Sequence, residues 1–172
     1  MHDETAKTKE REMELLNYEY GYIGWCIGYK KTSEAKKYIE RGQQRIEKLM
    51  DRKYKVSMLY GYKSAFYGFE IGLNKAKAPF WGRKSIDAAK LAITTDAGNP
   101  FGYIQLGNIE YYMPAVFGGS KKKALEYYLK AEKLMEKNQQ NLNENWNYLG
   151  LLTSIVMCYK ELKQYRNAKI YC

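Results

Sequence analysis

Apolar and small residues along the chain recur at a helical spacing. Between residues 54 and 76, the small residues Gly61, Ala65, Gly68 and Gly72 follow one another at steps of four, three and four. Residues at these steps share one face of a helix. No segment shows the apolar and polar alternation with a period of two that a half-buried strand requires. The pattern therefore predicts an all-α fold.

Start and stop residues divide the pattern into eight predicted helices. They cover about 4–30, 32–51, 54–76, 82–95, 100–113, 120–137, 142–162 and a segment that begins near 164. Thr32 and Ser33 are the predicted N-caps of the second helix, and Ser120 is that of the sixth, because short polar side chains bond the free N–H groups there. Consecutive helices form the predicted hairpins 4–51, 54–95, 99–137 and 142–172.

The same small-residue signature recurs in every predicted hairpin. Its copies are Ala35-Ile39-Gly42, Ser85-Ala89-Ala92, Ala124-Tyr128-Ala131 and one that opens at Ala168. Repeats of about 40 to 50 residues are typical of stacked helical units. We therefore expect a single domain over 1–172, built as a superhelical stack of about four antiparallel hairpins, an α-solenoid. The last copy stops after about two turns, which predicts a truncated final hairpin with Ile170 and Tyr171 uncovered.

Two hairpins carry the residues of a known repeat family. The matching positions are Leu106-Gly107 with Ala124, Tyr128 and Ala131, and then Ile155, Tyr159 and Ala168. The pattern resembles the tetratricopeptide repeat (TPR) family, well over about 55–172 and weakly over 12–50. The resemblance implies a TPR-like helical scaffold whose concave groove holds a protein or peptide partner.

The stretch from Gly107 to Ala131 is also similar to the TPR-like accessory T component of tripartite periplasmic transporters. That second resemblance implies an alternative function. The chain would be an accessory small-ligand or transport-associated helical protein of the cell envelope.

Composition restricts the partner but does not identify it. The formal net charge is +10, the chain contains 18 tyrosines, and a hydrophobic share of 45% argues against disorder. The charge favours an acidic partner or surface, or serves solubility alone. A nucleic-acid partner is disfavoured because no nucleic-acid-binding motif accompanies the charge. No apolar run is long enough to span a membrane. The compartment (cytoplasmic, or periplasmic after signal removal) and a homo-oligomeric state stay open.

Catalytic chemistry finds little support in the sequence. His2 is the only histidine, which argues against histidine-based nucleophilic schemes and histidine metal clusters. Cys26, Cys158 and Cys172 lack metal-ligand spacing. We therefore expect a non-enzymatic protein without a metal or cofactor. Glu70 and Glu110, inside aromatic-rich segments, are the carboxylates to examine for burial.

Aromatic residues in predicted turns are candidate binding anchors. Phe80, Trp81 and Phe117 lie between predicted helices, where burial in the core is not automatic. The alternative is that each turn folds back and covers the gap between hairpins. Four further candidates lie on the first helix of the third hairpin, which would line the inner face: Phe101, Tyr103, Asn108 and Tyr112.

Basic residues cluster in the first turns of the second helices of three hairpins. These clusters are Lys36-Lys37, Arg83-Lys84 and Lys121-Lys122-Lys123. The helix macrodipole disfavours cations at that position. They predict either an anion-binding rim or a solvated edge, and Arg83, Lys84, Lys121 and Lys122 complete the candidate binding residues.

Overall fold

The computed structural model describes residues 2–137, 142 and 145–171, without the side chains of residues 2–7. All regular structure within these ranges is helical, which confirms the all-α prediction. The chain divides into two compact units, Met1–Thr95 and Asp96–Cys172. The single-domain prediction stays a prediction.

Unit 1 (Met1–Thr95) contains two antiparallel helix pairs. Its helices are α1 (His2–Gly28), α2 (Thr32–Asp51), α3 (Val56–Leu73) and α4 (Ala78–Thr95), with a 3₁₀ turn at Lys75–Lys77. α1 packs on α2, α3 packs on α4, and α3 also contacts both α1 and α2. The pairs form because each helix has a buried stripe at helical spacing, such as Ala35, Ile39 and Ile46 of α2.

Small and hydroxyl residues let the helices of unit 1 approach closely. A Cβ atom on Gly42 of α2 would lie 2.5 Å from Cζ of Phe66 in α3, so only glycine fits there. Between α3 and α4, Ser85 Oγ donates to the Ser64 carbonyl oxygen at 2.8 Å. Ser57 Oγ donates to the Ala92 carbonyl oxygen at 2.8 Å. These bonds satisfy buried hydroxyls and fix the register of the pair.

Unit 2 (Asp96–Cys172) contains α5 (Pro100–Tyr112), α6 (Lys121–Glu136), α7 (Trp146–Glu161) and the short α8 (Tyr165–Ile170), with a 3₁₀ turn at Ala115–Phe117. Each helix packs on the next. The core between α6 and α7 consists of Ala124, Leu125, Tyr128, Ala131, Leu151, Ile155 and Cys158. A Cβ atom on Gly107 of α5 would lie 2.6 Å from Cδ1 of Tyr128, so the α5–α6 crossing requires the glycine.

Several predicted helix ends differ from the structure. α4 begins at Ala78 rather than 82, because Pro79 occupies the first turn, where a missing N–H costs nothing. α3 ends at Leu73 rather than 76, and α7 begins at Trp146 after the N-cap Asn145, rather than at 142. Lys31 stands at the N-cap of α2, so the capping role predicted for Thr32 and Ser33 is wrong. Ser120 is confirmed as the N-cap of α6 and accepts from the Lys123 N–H at 3.3 Å.

Three helices end in the same backbone motif with lysine in place of the usual glycine. Lys30, Lys53 and Lys163 have φ values of 59°, 50° and 57°. At each site, the lysine N–H donates to the carbonyl oxygen three residues before it. The N–H of the residue after the lysine donates to the carbonyl oxygen five residues before that residue. This is the Schellman pattern, whose left-handed position favours glycine. Gly118, with φ 96°, fills it after the second 3₁₀ turn.

Candidate functional site

An exposed group of aromatic rings and one lysine lies at the start of α4. We call Tyr67, Phe80, Trp81 and Lys84 the α4 cluster. The rings of Tyr67 and Trp81 are stacked, with centroids 4.9 Å apart and planes 20° apart. Phe80 meets Trp81 edge-on at 4.9 Å. Lys84 Nζ lies 4.0 Å from the Phe80 centroid and 4.8 Å from the Trp81 centroid.

The helical start of α4 is what builds this cluster. Phe80 and Trp81 were predicted to lie in a loop, and that is wrong, because α4 already includes them. The helical spacing places Lys84 one turn after Phe80, so its ammonium group lies over both rings. Phe80 is 59% exposed, Trp81 is half-buried, and the Arg83 side chain is 88% exposed. The surface therefore offers apolar ring area next to the Lys84 ammonium group, while Arg83 pairs with Asp87 at 3.9 Å.

A second aromatic group lies at the end of α1, and no sequence motif indicated it. We call Tyr22, Trp25, Tyr29, Lys31 and Tyr38 the α1 cluster. Its rings are 4.8–5.6 Å apart, and Lys31 Nζ lies 4.4 Å from the Trp25 centroid. Steps of three and four along α1 were the available signal, since they place Tyr22, Trp25 and Tyr29 on one face.

In unit 2, Lys121 has a structural role. Its Nζ donates to the Tyr111 carbonyl oxygen and lies 3.8 Å from the centroid of the Tyr111 ring. That carbonyl belongs to the last turn of α5, where the macrodipole favours a cation. The end of α5 thus offsets the unfavourable position of Lys121 at the start of α6. Lys122 and Lys123 are exposed and are free to meet an anion.

The four candidates on α5 have different environments. Phe101 is only 8% exposed, which corrects the prediction that it lines an accessible groove. Asn108 accepts from Tyr128 Oη at 2.8 Å and donates to Gln105 Oε1 at 3.3 Å, so it serves the packing of α5 on α6. Tyr103 packs against the core of unit 2, and only Tyr112, 72% exposed, presents its ring to solvent.

Sequence reasoning also missed a buried ion network between α1 and α2. Glu19 is 4% exposed, and its carboxylate meets Arg41 Nε at 2.7 Å and Arg45 Nε at 3.1 Å. Arg45 also donates to Glu12. Burial lowers the pKa of Arg45, but hydrogen bonds and charge from Glu19 and Glu12 outweigh it, so the pKa is raised. Complete pairing of this kind indicates a structural network rather than a reactive carboxylate.

The two carboxylates singled out in the sequence do not form a pair. Glu70 accepts from Lys77 Nζ at 2.5 Å, beside the first 3₁₀ turn. Glu110 Oε2 is buried and has no hydrogen-bond partner within the described part of the chain. Across the residues that the structure describes, no three His, Cys, Asp or Glu side chains are arranged to hold a metal ion. Within the same ranges, no helix has the length and apolar character needed to cross a membrane.

Comparison with known proteins yields a structural likeness alone. Neither a protein-family model nor a curated protein of similar sequence matches the chain. The structure is similar to that of the HusA haemophore from Porphyromonas gingivalis, with a TM-score of 0.70 over 91% of this chain and 84% of that one. The two sequences are 18% identical, so the likeness concerns the fold.

Proposed function

We propose that this chain is a non-catalytic, TPR-like scaffold that binds a protein or peptide partner through exposed aromatic rings beside cations. The α4 cluster carries the proposal, because Phe80 is 59% exposed and Lys84 Nζ lies within 4.8 Å of two ring centroids. Aromatic side chains give large contact area at low entropic cost, and they are the usual anchors of binding surfaces. The proposed architecture is a superhelical stack of four hairpins, supported by the antiparallel pairs within each unit.

The chemistry of the α4 cluster favours an acidic peptide with an apolar anchor. Lys84 supplies positive charge over the rings of Phe80 and Trp81. The stacked rings of Tyr67 and Trp81 supply a flat apolar area. A partner segment that combines Asp or Glu with a bulky apolar residue would match both features.

Selection from a displayed peptide library tests this function. We expect enriched peptides to be acidic and to bind the full chain with a change in tryptophan fluorescence. Phe80→Ala and Lys84→Glu should each weaken binding by at least about tenfold, which corresponds to about 1.4 kcal/mol. Tyr112→Ala, which removes a ring that is 72% exposed in the other unit, is the control. Equal affinities for all three variants would contradict the proposal.

A second candidate function is binding of a small planar ligand, as an accessory protein of the cell envelope. The likeness to a haemophore favours it and suggests haem as the cargo. The aromatic clusters of unit 1 offer ring faces for stacking, and Lys31 and Lys84 lie beside them for the propionates. Titration with haemin should then give a saturable shift of the Soret band at one equivalent. Parallel titration with iron-free protoporphyrin separates ring stacking from iron ligation, and the absence of saturation would exclude this candidate.

A further inference from the structure

The connection between α5 and α6 presents two apolar side chains to solvent. Val116 is 86% exposed and Phe117 is 75% exposed, and both lie in the 3₁₀ turn Ala115–Phe117. We call these two residues the apolar tip. A single exposed apolar residue is common on protein surfaces. Two adjacent exposed apolar residues in the connection between two helices instead indicate a candidate interaction surface.

The backbone on both sides holds the apolar tip in place. Gly118 adopts φ 96°, and Gly119 N–H bonds the Pro114 carbonyl oxygen at 3.2 Å. Ser120 N–H bonds the Glu110 carbonyl oxygen at 3.0 Å and then caps α6. A Cβ atom on Gly119 would collide with the Met113 carbonyl, so the turn depends on glycine. The exposure of the tip therefore follows from an ordered, hydrogen-bonded turn.

Positively charged residues follow the tip in the chain, after residues 118–120. Lys122 and Lys123 are exposed in the first turn of α6, while Lys121 is bound to the end of α5. Tyr112, on the other side of the connection, is 72% exposed. Exposed apolar side chains with lysine and an exposed tyrosine near them in the chain are the residue types found in the interfacial region of a bilayer.

We propose that the apolar tip inserts among the head groups of an anionic lipid bilayer while Lys122 and Lys123 contact lipid phosphates. The small apolar area of the tip argues against a protein partner there, because a stable protein interface buries about 800 Å² on each side. Two side chains offer far less than that. A bilayer needs only shallow insertion plus electrostatic attraction, to which each lysine near the surface contributes. This inference is independent of the partner binding proposed for the α4 cluster.

Vesicle sedimentation of the full chain tests the inference. Vesicles of phosphatidylcholine mixed with phosphatidylglycerol should pellet the protein, vesicles of phosphatidylcholine alone should not, and added salt should weaken binding. The double variant Val116→Ser, Phe117→Ser removes the tip. The double variant Lys122→Glu, Lys123→Glu removes the charge, and each lost lysine should lower the partition coefficient about fivefold.

Matched controls show whether the location matters. Ile170→Ser removes a side chain that is 79% exposed elsewhere in unit 2, and Lys48→Glu with Lys90→Glu reverses two exposed lysines on other helices. Both controls should bind nearly as the wild type does. Phe117→Trp gives a readout that does not depend on sedimentation: after subtraction of the wild-type emission, which comes from three tryptophans, the emission of the new tryptophan should shift to the blue on mixed vesicles. Failure of the wild type to bind, equal loss in tip and control variants, or an unshifted emission would each overturn the proposal.

Discussion

At the scale of single residues, three lysines adopt a left-handed backbone conformation that usually belongs to glycine. Lys30, Lys53 and Lys163 occupy the left-handed position after α1, α2 and α7. A side chain at that position brings Cβ close to the following carbonyl oxygen and costs roughly 1–2 kcal/mol. Glycine avoids that cost, so these three turns hold removable strain.

Relief of that strain is measurable at Lys53. We expect Lys53→Gly to raise the free energy of unfolding by about 0.5–1.5 kcal/mol, part of the gain being lost to the greater freedom of glycine in the unfolded chain. Chemical denaturation measures the difference. Lys53→Ala keeps the Cβ atom and should give no comparable gain. If the two variants are equally stable, the backbone conformation is not the source of the effect.

The effect of replacing a helical glycine by alanine depends on how much space surrounds the new Cβ atom. Gly107→Ala would place a Cβ atom 2.6 Å from Tyr128 Cδ1, and we expect it to destabilise the protein by about 1–3 kcal/mol through overpacking. For Gly68, within α3, no atom of the described residues outside the local helix backbone lies within 4 Å of such a Cβ. Gly68→Ala should instead stabilise by up to about 1 kcal/mol through helix propensity. Thermal melts of both variants measure these two effects. If both substitutions raise the melting temperature, or both lower it, this prediction is wrong.

At the scale of helices, the sequence predicts positions better than partners. Pro100, Pro114 and Ser120 mark the ends of α5 and the start of α6 correctly, because their backbone chemistry acts within a few residues. The predicted turn before residue 82 is instead the first turn of α4, because a proline in the first turn of a helix and one in a loop give the same local sequence signal. The ion network of Glu19 joins residues more than 20 positions apart, and no local pattern reveals such a pairing.

The surroundings of α8 also depend on contacts between distant residues, which the local sequence does not predict. Ile170 is 79% exposed, in line with the sequence-based expectation. Tyr171 is not uncovered, because its hydroxyl donates to Glu132 Oε2 at 3.1 Å and its ring lies 5.9 Å from that of Tyr159. Glu132 on α6 and Tyr159 on α7 therefore cover a residue that was expected to lack a partner. A contact spanning 39 positions decides the outcome.

The burial of Glu132, which accepts from Tyr171, makes the stability of unit 2 dependent on pH. Burial raises the pKa of Glu132, the bond from Tyr171 lowers it in part, and the net direction is upward. The folded state therefore binds this proton more tightly than the unfolded chain does. The stability contributed by Glu132 is complete below the unfolded pKa and is lost as pH rises through the folded pKa.

Replacement of the carboxyl by an amide removes this dependence. We expect Glu132→Gln to raise the melting temperature relative to the wild type at pH 8 and to raise it less, or lower it, at pH 4, because glutamine still accepts from Tyr171 but never carries a buried charge. Glu126→Gln, at an exposed position on the same helix, is the control. A melting difference that does not change with pH would show that Glu132 does not titrate in this range.

At the scale of the whole molecule, the division into two units predicts separable folding. Unit 1 contains its own buried core, and Thr95 and Asp96, on the two sides of the boundary, are exposed. We expect residues 1–95 expressed alone to be helical by circular dichroism and to melt cooperatively. A shorter fragment, 1–73, lacks α4 and the Ser64–Ser85 bonds, and it should lose the cooperative transition. A 1–95 fragment that melts without cooperativity would contradict the prediction.

Each unit contains a buried cysteine whose reaction with a thiol reagent reports the opening of that unit. Cys26 lies in unit 1 and Cys158 in unit 2, and both are free and buried. Burial raises the pKa of the Cys158 thiol to about 11, so in the closed unit it is shielded and also protonated at neutral pH. A thiol-specific reagent can therefore label each cysteine only when its own unit opens. With Cys172 replaced by serine, the two labelling rates are measured by mass spectrometry of separate peptides. When reclosing is faster than labelling, each rate reports the population of the open state of its own unit.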